Sequence, residues 1–167
     1  QLTDHYDSGN KVLRLSDPVY NSTSVSAVGV AAHEVGHALQ DKSGYFALVL
    51  RQGLYPIANL GSNLGMILIM IGIFMMFATQ NVGFGLALSG LILYAGAVMF
   101  TLVTLPVEFN ASKRALQCLT NYGIVTSEEY DGTRKVLNAA ALTYVAAAVG
   151  TVMTLLYYAM IVFGNRD

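Results

Sequence analysis

Hydrophobic and polar positions in this chain fall into long, separate blocks. From Gln52 to Val107 there is no charged residue and no histidine, and Val136 to Asn165 is again uncharged. A bilayer core is crossed by about 20 mostly apolar helical residues. The first silent stretch is therefore long enough for two spans, and it divides at Thr79-Gln80-Asn81-Val82-Gly83. The pattern predicts one span over Leu64 to Ala78, extended backwards through Ile57, and a second over Phe84 to Leu105, closed by Pro106. A third is predicted from Val136 to Phe163. Glycines inside these spans (Gly65, Gly72, Gly85, Gly90, Gly96, Gly150) would let helices approach closely in lipid. With no tryptophan in the chain, tyrosines such as Tyr55, Tyr94, Tyr157 and Tyr158 are left to mark the interfaces.

The polar head reads differently. Thr3 to Tyr6 and Val12 to Leu15 are short β-compatible runs separated by the turn tetrad Asp7-Ser8-Gly9-Asn10, which predicts a β-hairpin. Asp17-Pro18 ends the second strand. Asn21, Ser22, Thr23 and Ser24 offer N-caps for a helix running to about Ser43 and stopped by Gly44. Thr126 with Glu129 has the capping-box pattern that starts the last long helix. The expected architecture is a mainly α membrane protein with about three transmembrane helices and a small β-hairpin. Four segments follow: 1–51, hairpin and polar helix; 52–107, a helical hairpin in the membrane; 108–135, a polar helical segment; 136–167, the third span and tail.

Composition narrows the function classes. Of the 167 residues 54% are apolar and only 11% charged, against about 25% charged in soluble domains; too few charges remain to coat a soluble globule. A net charge of −1 argues against nucleic acid as a partner, since that requires a clustered basic face. The single cysteine, Cys118, excludes an internal disulfide and a cysteine-based zinc cage. A helical hairpin returns the chain to the side it left, so the two charged blocks, up to Arg51 and from Glu108 to Lys135, face one compartment. They hold eight of the nine Lys and Arg residues, which by the positive-inside tendency makes that compartment the cytoplasm. The chain opens at Gln1 without a methionine, and an upstream piece is expected to be missing.

Chemistry concentrates in His33-Glu34-Val35-Gly36-His37. On a helix His33 and His37 are four apart and project from one face, so two imidazole nitrogens can reach one cation. Glu34 is angled toward water on such a cation without ligating it. This is the zincin pattern, with glutamate as general base and Zn²⁺ as the cofactor that lowers the pKa of water. Catalytic zinc usually takes three protein ligands. His5, on the hairpin, is the remaining histidine. Glu108 is the first charge after the silent stretch, where an ionised carboxylate is costly unless paired or bound to a cation. Glu128, Glu129 and Asp131 suit a helix start better. His5 or Tyr6 is a candidate for the oxyanion of a tetrahedral intermediate, and Arg114 for the oxyanion or a substrate carboxylate.

These residues lie in stretches that resemble the bacterial neutral zinc metallopeptidase family (YugP-like), multi-span membrane proteins. The matching stretches are Leu-Thr-Asp-His-Tyr-Asp at 2–7, Val-Ala-Ala-His-Glu-Val-Gly-His-Ala at 30–38, Thr-Leu-Pro-Val-Glu-Phe-Asn-Ala-Ser at 104–112 and Ala-Ala-Ala-Leu-Thr-Tyr-Val-Ala-Ala-Ala at 139–148. More distantly, the His-Glu helix followed by Glu-x-x-Ala is similar to membrane gluzincins of the HtpX and CAAX-prenyl-protease type. The resemblance implies His33, His37 and Glu108 as zinc ligands, Glu34 as base, and peptides or membrane proteins near the bilayer as substrates. Two features depart from it. Ser112 stands where the distant relatives have an aspartate that orients a zinc-bound histidine, and the N-terminal membrane segment of YugP-like members is expected to belong to the missing upstream piece. The alternative class is a catalytically inactive, metal-stabilised membrane adaptor or assembly factor. A transporter lacks an evident relay, since Glu108 is the only candidate for an intramembrane charge.

Overall fold

The computed structural model describes residues 4–164. Thr3, placed by pattern in the first strand, and the charged tail residues Arg166 and Asp167 lie outside that range. Strands β1 (His5–Asp7) and β2 (Val12–Arg14) pair antiparallel, with Tyr6 opposite Leu13. The connecting turn is held by Asp7, whose Oδ1 accepts the Asn10 N–H at 3.0 Å. A one-turn helix, α1 (Asp17–Tyr20), precedes α2 (Val25–Lys42). Ser24 caps α2, its hydroxyl accepting the Ala27 N–H at 3.2 Å. Gly44 follows its end with φ +59°, a conformation that costs glycine little.

Three long helical stretches follow, each long and apolar enough to cross a membrane: Phe46–Met76, Gln80–Asn121 and Ser127–Gly164. The first comprises α3 (Phe46–Leu60), a π-helical turn at Gly61–Gly65 and α4 (Met66–Met76); the others are α5 and α6. Several boundaries differ from the sequence reading, and the first stretch starts at Phe46, ahead of Ile57. The break between the first two spans is shorter, confined to 77–79. Pro106 does not close a helix: α5 continues through it to Asn121. Proline forfeits one backbone hydrogen bond there without stopping the helix, a loss that membrane helices tolerate. As a result Glu108 and Ser112 belong to the same helix as the second span. The capping box at the start of α6 is reciprocal: Thr126 N–H donates to Glu129 at 2.9 Å and Glu129 N–H to the Thr126 hydroxyl at 3.2 Å.

The chain forms two compact units, each built from segments distant in sequence. One comprises the described part of Gln1–Val49 with Leu105–Tyr144. Its core is Ala32, Ala115, Leu119 and Leu137, flanked by Val28, Leu116 and Val125. The small residues on α2 bring that helix hard against α5: a Cβ added at Gly36 would lie 2.3 Å from the Ala111 carbonyl oxygen. The other unit comprises Leu50–Thr104 and the described part of Val145–Asp167. Its core is Ile69, Ala87, Leu91, Tyr94, Val98 and Val162. Phe74, Phe77 and Met160 are exposed on this unit, the pattern expected of a surface whose solvent is hydrocarbon. Glycine serves close approach at some of the expected positions and not at others. A Cβ at Gly72 would lie 2.3 Å from the Ala87 nitrogen, whereas Gly85 and Gly150 border open space.

Candidate metal centre

α2 presents His33 and His37 on one face because their spacing is close to one helical turn. Their rings meet edge to face, with centroids 4.7 Å apart. α5 supplies the third member. Glu108 Oε2 lies 3.1 Å from His33 Nε2 and 3.7 Å from His37 Nε2. One donor atom from each of the three residues lies within 4.8 Å of the other two. Glu108 is 1% exposed, so its charge is shielded from water and needs a compensating cation.

The donor set fits Zn²⁺. Two imidazole nitrogens and one carboxylate oxygen leave a fourth position, as in catalytic zinc sites. Ligands about 2.0–2.1 Å from a tetrahedral ion stand about 3.3 Å from one another, and the observed 3.1 and 3.7 Å bracket that spacing. The nitrogens aimed at Glu108 are both Nε2, because each Nδ1 has its own partner: Ser112 Oγ at 3.1 Å for His33 and Gln40 Oε1 at 3.0 Å for His37. Ser112 therefore occupies the orienting position by sequence and by geometry, with a neutral hydroxyl in place of a carboxylate. Burial disfavours the His37 imidazolium. The neighbouring Glu108, helped by Gln40 and Glu34, more than offsets this and raises its pKa.

Glu34 is nearly buried and is held from the hairpin, its Oε2 accepting the Tyr6 N–H at 2.9 Å. Tyr6 makes a second bond to α2, its hydroxyl donating to Asp41 at 2.7 Å. Lys11 pairs with the same carboxylate. The Lys11 and Tyr6 hydrogen bonds hold Asp41 below the usual carboxylate range, while Asp41 raises the Tyr6 phenol. His5 lies on β1. Arg114 is engaged by protein groups: its Nε donates to Asn110 Oδ1 at 2.8 Å and its guanidinium reaches the Leu39 carbonyl at 3.4 Å. Gln40, Asn110 and Asp41 escaped the sequence reading. The signal for Gln40 was its place three residues after His37 on the same helical face.

Residues 1–163 match the family described as "Putative neutral zinc metallopeptidase". The chain belongs to this family. It is 49% identical over 166 residues to the "Putative membrane protease YugP" of Bacillus subtilis (strain 168), a match covering 99% of this chain and 71% of that protein. No solved structure matches the chain. Membership in the metallopeptidase family, three helices able to cross a membrane and a His, His, Glu donor cluster together make this chain a membrane zinc peptidase of gluzincin type.

Proposed function

We propose that the chain is an endopeptidase that cuts peptides close to the cytoplasmic face of the membrane, with His33, His37 and Glu108 holding Zn²⁺ and Glu34 as general base. The observation that carries this reading is the convergence of the His33 and His37 Nε2 atoms on the buried Glu108 carboxylate. Zn²⁺, when bound, supplies Lewis acidity toward water and toward the scissile carbonyl. Glu34 supplies the proton traffic. Tyr6 N–H fixes Oε2, leaving Oε1 to take the proton of the attacking water and deliver it to the departing amine as the C–N bond breaks. The cytoplasmic assignment rests on the eight basic residues in the two charged blocks flanking the first two spans. Integral membrane proteins with segments near the bilayer are the substrates this placement suggests.

The test is hydrolysis of unstructured polypeptide by the detergent-purified chain. A strong chelator is expected to abolish cleavage and stoichiometric Zn²⁺ to restore it. Cleavage that persists after the metal has been stripped contradicts the reading. Zinc binding without cleavage of any polypeptide or membrane-protein substrate favours the adaptor class.

A further inference from the structure

The two histidines of the cluster are oriented in different ways. Gln40 is completely buried. Its Nε2 lies 2.7 Å from the Val107 carbonyl oxygen and 3.1 Å from Asn110 Oδ1, two acceptors that use both of its hydrogens. An amide nitrogen only donates, so Gln40 cannot be flipped, and the atom facing His37 at 3.0 Å is the acceptor Oε1. That contact is a hydrogen bond only if His37 Nδ1 carries a proton, which in the neutral imidazole leaves the Nε2 lone pair directed toward Glu108. Asn110 is fixed in turn by Arg114, whose guanidinium has donors alone and places Nε 2.8 Å from Oδ1. Ser112 gives no such constraint. A hydroxyl both donates and accepts, so its 3.1 Å contact admits either tautomer of His33.

We infer that Arg114, Asn110 and Gln40 form a positioning relay that locks His37 in the one neutral tautomer able to ligate through Nε2. The inference rests on the proposed assignment of His37 as a zinc ligand. It gives Arg114 a role in preparing the metal site, through Asn110, in place of contact with substrate. The relay also ties α2 to α5, because Gln40 and Leu39 lie on one helix and Val107, Asn110 and Arg114 on the other.

Gln40→Met keeps an unbranched side chain of similar volume and removes both the acceptor and the donors, so it separates packing from hydrogen bonding. In the full detergent-purified chain, zinc affinity measured by chelator competition is expected to fall about 10–100-fold, the usual loss when a ligand's orienting partner is removed. The visible spectrum of the Co²⁺-substituted protein is expected to shift as the His37 ring loses its fixed orientation. Asn110→Ala, at a half-buried position, is expected to lower affinity in the same direction and serves as the deciding variant if Gln40→Met does not fold. Native zinc affinity and an unchanged cobalt spectrum in a folded variant would overturn the relay while leaving the zinc assignment standing. Failure of the native chain to bind zinc would overturn both.

Discussion

Replacing Glu34 with glutamine is expected to lower peptide hydrolysis by about 10²–10⁴-fold, the contribution of a positioned general base, with zinc content unchanged. The substitution is clean because of how the side chain is held. Glu34 Oε2 accepts the Tyr6 N–H at 2.9 Å, and a glutamine carbonyl oxygen can accept the same bond, so the hairpin keeps its anchor on α2. What glutamine cannot do is take a proton. Hydrolysis and zinc content measured on the same preparation separate the two roles of the motif. Cleavage at the native rate by Glu34→Gln would remove Glu34 from the mechanism, and loss of zinc in that variant would mean that Glu34 ligates the metal.

The second large effect is expected at Gly36. In an exposed helix interior glycine-to-alanine stabilises by up to about 1 kcal/mol, but here the sign reverses. A Cβ at Gly36 would lie 2.3 Å from the Ala111 carbonyl oxygen and 2.9 Å from its carbonyl carbon. Both are main-chain atoms of α5 and cannot rotate away. The helices must separate, and α5 carries Glu108 and Ser112, which both contact His33 of α2 at 3.1 Å. Gly36→Ala is therefore expected to cost about 1–3 kcal/mol of stability, as overpacking does, and to lower zinc affinity at least tenfold. Gly53→Ala is the control, since the Cβ it adds meets nothing within 4 Å beyond its chain neighbours and its own helix backbone. A thermal melt and a zinc titration of both variants decide the matter; native zinc affinity in Gly36→Ala would show that α2 and α5 do not need this approach.

Much of this arrangement was legible from residue type and spacing, because those parts depend on local rules. Two histidines four apart, a capping box and uncharged stretches of bilayer length each follow from helix geometry or bilayer thickness. Glu108 was visible as the first charge after such a stretch. What stayed hidden depends on tertiary register. Gln40 bonds a carbonyl 67 positions away, and Tyr6 holds a carboxylate 28 positions away; no sequence period encodes either pairing. Pro106 misled for a different reason. Proline is a reliable stop where water competes for backbone groups, and a weaker one in a long helix of a membrane protein. Ser112 departs from the aspartate of the distant relatives, and in the structure its hydroxyl contacts His33 Nδ1, while Gln40 contacts Nδ1 of the other histidine.

Two helices bring His33, His37 and Glu108 together, and the proposed function has them hold one zinc ion. Zinc per chain in detergent-purified protein, for the native sequence and for Glu108→Ala side by side, tests it most directly. About one zinc per native chain, the stoichiometry of a single three-ligand site, and a marked loss in Glu108→Ala are expected. Equal zinc in both proteins, or none in the native chain, would contradict it.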